Sequence, residues 1–197
     1  SLCYEVSDRD GEEIAGQGIR ENADFIDYAR TRDSDMIKGM FGLHASFTLS
    51  DATLKKCVEA AQGAGFHVHA AEGPEDLADC RTKYGKRVVE RLFDRGILGE
   101  KSIAVHCIHV DGHEMDLLRE SGTMVVHNPE SNMGNAVGYS AAVEMIHKGI
   151  LVGLGTDGYT TDMLESLKVA NILHKHELKD PGAAWAEAPR MLFENNA

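Results

Sequence analysis

Cysteine is scarce in this sequence: four residues in 197, none of them in a CxxC pair. Cys3, Cys57, Cys80 and Cys107 offer neither a disulfide framework nor a zinc knot. They read as reduced, mostly packed thiols of a cytoplasmic protein. Long apolar runs are missing as well, since nothing approaches the roughly 20 residues that span a bilayer. Residues 1–30 carry no basic-then-apolar leader and no Arg/Ser-rich transit pattern. No membrane partner is expected. Positive charge is in deficit, with 20 Lys and Arg against 32 Asp and Glu and a net charge of −12. That balance excludes a phosphate-neutralising surface, and with it nucleic acid as a partner. No GxGxxG follows a strand-like run and no GxxxxGK[ST] occurs, so nucleotide-binding loops have no support. Low-complexity tracts, linkers and short repeats are also lacking. Histidine is what the chain has in quantity: ten residues.

The remaining composition, 43% hydrophobic and 26% charged, suits one globular domain over residues 1–197. Short apolar runs predict strands at Ser1–Val6, Ile37–His44, Phe66–Ala71, Ile103–Val110, Thr123–Val126 and Ile150–Gly155. Helical spacing falls between them. Ser50 and Asp51 form an N-cap, and Leu54, Cys57, Val58 and Ala61 follow at i, i+3, i+4 and i+7. Further helices are predicted over Glu13–Arg32, Pro74–Arg95, Gly112–Ser121, Ala141–His147, Thr161–His176 and Pro181–Asn196. His127–Gly138 reads as a polar loop. Nearly continuous apolar strands alternating with helices predict an α/β fold with a parallel sheet buried on both faces. Two architectures fit: an open doubly wound sheet, or part of a (β/α)8 barrel.

Histidines recur where predicted strands end. His44 closes the second strand, His69 the third and His127 the fifth, while His106 and His109 lie in the fourth. Asp157 follows the sixth strand in Gly155-Thr156-Asp157-Gly158. In parallel α/β barrels such ends converge on one mouth, where the chemistry sits. Imidazoles and carboxylates buried there without partners would each cost several kcal/mol, so pairing or metal binding is expected. His, Glu and Asp are also the ligands of catalytic zinc and iron sites. Each residue alone has an ordinary reading. Asp157 could cap a helix, Glu72 could supply charge to the helix after it, and His109 and His113 could decorate a loop. His147, His174 and His176 read as solvated or packed helix residues.

Four ordered segments carry a resemblance: His67-Val68-His69-Ala70-Ala71-Glu72, Val105-His106-Cys107, His127-Asn128-Pro129-Glu130-Ser131-Asn132-Met133 and Gly155-Thr156-Asp157-Gly158. Together they resemble the amidohydrolase superfamily, in its cytosine deaminase, adenosyl-homocysteine deaminase and triazine chlorohydrolase branch. The opening residues, and Gly42-Leu43-His44-Ala45-Ser46-Phe47-Thr48, are most similar to aminohydrolases associated with selenium metabolism. The resemblance implies a metal-dependent hydrolase of non-peptide carbon–nitrogen bonds. It would deaminate a small heteroaromatic or cyclic amidine substrate, with one divalent metal, zinc ahead of iron. It further implies that His69 and Asp157 ligate the metal, and that Glu72 moves a proton to the ring nitrogen or leaving group. His106 would orient the attacking water and Asp157 would take its proton, while His44 and Asn132 would face the substrate. Removal of chloride or alkylamine, and a non-catalytic barrel module, are the competing readings.

One family feature is missing from the sequence: no HxH pair on an apolar strand precedes these motifs. The chain therefore aligns with barrel strands three to eight, a partial TIM barrel without strands one and two or the branch's β-sandwich. A full barrel takes about 250 residues. The expectation is a piece of a longer enzyme, inactive or nearly so alone, whose open sheet edges favour homo-oligomers.

Overall fold

The structure, a computed structural model, describes residues 1–32 and 34–197. Its elements run α1 (Glu12–Arg30), β1 (Phe41–Ala45), a 3-10 turn (Ser46–Thr48), α2 (Asp51–Ala61), β2 (Phe66–Ala70), α3 (Pro74–Tyr84) and α4 (Val88–Asp94). They continue with β3 (Ile103–His106), α5 (Gly112–Ser121), β4 (Met124–His127), α6 (Pro129–Gly134), α7 (Ala142–His147), β5 (Val152–Leu154), α8 (Met163–Leu178) and α9 (Glu187–Phe193). All neighbouring strands pair in parallel, and their order across the sheet is β1-β2-β3-β4-β5. That order decides between the two expected architectures. A doubly wound sheet reverses direction at a switch point, whereas this one advances one strand at a time, as a barrel wall does. The fold is α/β, and a partial barrel accounts for it.

Helix boundaries follow local chemistry. Ser50 Oγ accepts the Thr53 N–H at 3.1 Å, capping α2 as its sequence predicts. Asp111 and Glu114 cap α5 reciprocally, each side chain accepting the other's backbone N–H at 3.0 and 3.1 Å. Leu54, Cys57, Val88, Val89, Leu92, Met115 and Leu118 then pack into one core with Phe41, Leu43, Phe66, Val68, Ala104, Val125 and Val152. Burying each larger apolar side chain contributes about 1.5–3 kcal/mol, which outweighs the propensity of any one short strand. Cys57, Cys80 and Cys107 are buried free thiols, while Cys3 is exposed.

The predicted strand Ile103–Val110 stops at His106, which leaves His109 in the loop, and the predicted helix Pro181–Asn196 is helical only over Glu187–Phe193. Three other segments change their form. Ser1–Val6 makes only two isolated parallel bridges along β1, at Leu2–Gly39 and Val6–Leu43. The reason is Asn22, a buried residue of α1. Its side-chain amide takes both backbone groups of Tyr4, at 2.8 and 2.7 Å, and its oxygen also accepts Gly42 N–H at 3.2 Å. A side chain replaces the ladder at that point. The predicted helix Pro74–Arg95 is two, because Gly85 turns into the left-handed region at φ 66° and ends α3. The loop at 127–138 contains α6, opened by Pro129 in the first helical turn, a position its fixed φ suits. No helix among the described residues is long and apolar enough to cross a membrane.

Candidate active site at the C-terminal strand ends

Parallel register brings the strand ends side by side. Ala45 lies opposite His69, and Ala70 opposite His106. Three imidazoles therefore form a row: His44 to His69 and His69 to His106 are each 5.7 Å between ring centres. His67 sits one step deeper on the same face as His69, 5.6 Å from it. Burial alternates along β2, so this inner face is half-buried at His67 and His69 instead of closed as expected. The chain leaves the strand ends through left-handed backbone at Ala71 (φ 50°), His106 (70°), Cys107 (48°) and Asp157 (54°). Such positions cost non-glycine residues about 1 kcal/mol or more and cluster where a structure holds side chains for function.

His106 is the centre of the arrangement and is almost fully buried, at 1% exposure. Its Nδ1 donates to the side-chain oxygen of Asn132 at 2.8 Å. Its Nε2 has no hydrogen-bond partner and faces Glu72 Oε2 at 3.6 Å and Asp157 Oδ2 at 3.8 Å. Asp157 is held from two sides, accepting Ser131 O–H at 2.6 Å and Gly158 N–H at 2.6 Å. Burial alone would push its pKa up. The hydrogen bonds from Ser131 and then Gly158 work against that, and its pKa is held below the ordinary carboxylate value. His69 donates from Nδ1 to the backbone carbonyl of His44 at 2.7 Å, which in the neutral ring leaves Nε2 with its lone pair. This is how second partners fix imidazole ligands. His44 bonds Thr48 Oγ1 at 2.8 Å, and burial lowers its pKa.

The structure thus brings His44, His69, Glu72, His106 and Asp157 to one mouth. Asn132 lies behind His106, fully buried, and does not open onto the mouth. His127 stands apart, buried against His174 at 5.2 Å between ring centres; burial first, then His174 and His106, lowers its pKa to about 3. His174 bonds Tyr139 at 2.8 Å, and His109 donates to the Val137 carbonyl at 2.8 Å. Cys107 is pushed up by burial and is a packed thiol.

A cation between these groups finds suitable donors. The free Nε2 of His69 and the Asp157 carboxylate, beside the unpartnered buried Nε2 of His106, match a zinc- or iron-type donor set in kind. In number the set is short. Among the described residues, no three His, Cys, Asp or Glu side chains are grouped closely enough to hold a metal ion.

Sequence reasoning missed the residues that fix the loops around this mouth. Ser131 adjoins Asn132 in the quoted segment, and that adjacency was its only signal. Asp76, 4% exposed, accepts Phe47 N–H at 3.1 Å and Ala71 N–H at 3.0 Å, tying the β1 loop to the β2 loop. Burial raises its pKa to about 6 against those two bonds. A raised carboxyl pKa favours the folded state below about pH 4, and that advantage is lost as pH rises through about 6. Asp76→Asn cannot ionise. Its stability relative to the native chain should therefore improve by about 1–3 kcal/mol between about pH 4 and pH 7, read from paired thermal melts. A difference that stays flat with pH would show that Asp76 titrates normally.

A parallel α/β sheet with imidazoles and carboxylates gathered at the C-terminal ends of its strands is the layout of a barrel enzyme. The chain belongs to the amidohydrolase family, whose model matches residues 5–197. It is 36% identical over 189 residues to a 5'-deoxyadenosine deaminase of Methanosarcina mazei, covering 93% of this chain and 44% of that protein. It is also 36% identical over 190 residues to a 5-methylthioadenosine/S-adenosylhomocysteine deaminase of Pelotomaculum thermopropionicum, with the same coverage. The chain therefore spans less than half the length of these curated relatives. An adenosine deaminase structure from Xanthomonas campestris with bound zinc superposes with a TM-score of 0.85 at 27% identity, over 95% of this chain and 44% of that one. A guanine deaminase from C. acetobutylicum superposes at 0.83 over 95% of this chain and 48% of that one; at 18% identity it supports the fold alone.

Proposed function

We propose that this chain carries the proton-handling side of a metal-dependent hydrolytic deaminase acting on the amino group of an adenosine-like small molecule. The observation that carries the reading is the approach of Glu72 and Asp157 to one unpartnered buried nitrogen, His106 Nε2. Deamination adds water to a carbon, breaks its bond to nitrogen and releases ammonia, so protons must leave one atom and reach another. Two carboxylates in unlike environments divide that work. Asp157, kept ionised by Ser131 and Gly158, accepts the proton of the attacking water. Glu72, about one-third exposed at the mouth, delivers its proton to the ring nitrogen. The proton that Asp157 took passes on to the departing amine, so that ammonia leaves as the carbonyl forms. His106 accepts a hydrogen bond from the water and aligns it. His44 faces the substrate beside His69.

A divalent metal, zinc ahead of iron, would be held by His69 Nε2 and Asp157 and would supply the Lewis acidity that makes water reactive near neutral pH. Catalytic zinc sites ordinarily use three protein ligands. We therefore expect the 197-residue chain alone to lose zinc on dialysis and to turn over little. Elemental analysis after dialysis checks this; stoichiometric retained zinc would contradict it. Four free cysteines, three of them buried, support a reducing, cytoplasmic setting.

The activity itself is tested in a chimera in which these residues replace the matching 44% of the Methanosarcina mazei deaminase. The panel is 5'-deoxyadenosine, 5-methylthioadenosine, guanine and a chlorotriazine. Ammonia release from the adenine compounds supports the reading. Chloride release alone would favour the chlorohydrolase reading and overturn this one.

A further inference from the structure

Asn132 was expected to meet substrate, yet it is fully buried and its side-chain oxygen is spent on His106 Nδ1 at 2.8 Å. An amide oxygen can only accept, so Nδ1 carries the proton. In the neutral ring Nε2 then carries a lone pair. A free imidazole side chain prefers the opposite form, with the proton on Nε2. The ring is held in its less favoured tautomer by one hydrogen bond, in a place that water barely reaches. Nε2 faces Glu72 Oε2 at 3.6 Å and Asp157 Oδ2 at 3.8 Å. In the neutral ring three acceptors thus converge with no donor between them, which is unfavourable unless an O–H, an N–H or a cation fills the gap.

We infer that Asn132 is a positioning residue that locks His106 as an acceptor towards the mouth. This deepens, and rests on, the proposed deaminase reading. Of the occupants that satisfy three acceptors, an O–H or N–H donor is the one that an attacking water and a leaving amine supply. The neutral His106 ring offers them the Nε2 lone pair as a hydrogen-bond acceptor. Asn132 sits on α6 beside Ser131, which holds Asp157, so one short helix sets both partners of the gap.

The test is independent of turnover. Nitrogen-15 spectra of the histidine-labelled 197-residue chain at about pH 8, where an ordinary histidine is neutral, report which ring nitrogen bears the proton. The His106 signals are assigned by their loss in His106→Gln. The expected result is a pyrrole-like Nδ1 and a pyridine-like Nε2. Asn132→Asp keeps an acceptor and should preserve that pattern. Asn132→Leu removes it and should exchange the two signals. A proton on Nε2 in the unsubstituted chain overturns the inference without any variant having to fold. An unchanged pattern in a folded Asn132→Leu chain overturns it as well. The deaminase reading stands or falls separately, on ammonia release by the chimera.

Discussion

Glu72→Gln in the Methanosarcina mazei chimera should lower the rate of ammonia release about 10²- to 10⁴-fold, the usual worth of a positioned proton donor. Glutamine keeps the size and polarity of the side chain 3.6 Å from His106 Nε2 but has no exchangeable acid proton. The loss should fall on kcat, with KM changed little, because the proton is needed in the transition state and not to hold the substrate. Binding of zinc should survive, since Glu72 is no ligand in this account. A Glu72→Gln chimera within about threefold of the parent would remove Glu72 from the chemistry. A variant that lost its zinc would instead make Glu72 a ligand.

The largest effect on stability should come from Arg91→Met. Arg91 is 1% exposed on α4 and reaches the loop between β1 and α2. It donates to the Ser46 carbonyl and hydroxyl at 2.8 Å each, to the Leu49 carbonyl at 2.6 Å and to Asp51 at 3.0 Å, and it lies over the Tyr84 ring at 3.7 Å. Methionine fills much of the volume and restores none of the donors. Two backbone carbonyls of the loop after β1 are left short, at about 1–3 kcal/mol each. The expected loss is about 3–5 kcal/mol, a large share of the 5–15 kcal/mol that holds an ordinary domain together. Urea unfolding of the 197-residue chain measures it. A loss under about 1 kcal/mol would mean that water reaches those carbonyls when Arg91 is gone.

Sequence periodicity located the strands and helices that are built on apolar residues. Phe66–Ala70, Asp51–Ala61 and Gly112–Ser121 fall where the alternation, the stripe and the caps put them. The failures share a cause: polar side chains doing what backbone or apolar groups usually do. Asn22 sits on a helix assigned from its apolar spacing alone, yet it is wedged between Tyr4 and Gly42 where a ladder should run. Helix α6 buries Ser131 and Asn132 instead of an apolar face, so its pattern reads as a polar loop. Arg91, Asp76 and Glu114 lie among the apolar stripes of their helices and are buried through hydrogen bonds that no spacing rule contains. The mouth was more legible. His44, His69, His106 and Asp157 all follow or end parallel strands, and the sheet order alone brings them together. The tautomer of His106 was not legible, because it depends on a contact 26 residues away in sequence. The left-handed exits at Ala71, His106 and Asp157 have no glycine to announce them.

The most direct test of the central claim is the reaction of the chimera with 5'-deoxyadenosine in oxygen-18 water, followed by mass spectrometry of the purine product and assay of ammonia. Hydrolytic deamination predicts ammonia in step with product, each product molecule carrying a solvent oxygen at the carbon that lost nitrogen. Ammonia no higher than with the Glu72→Gln chimera, or a product without solvent oxygen, would contradict the account.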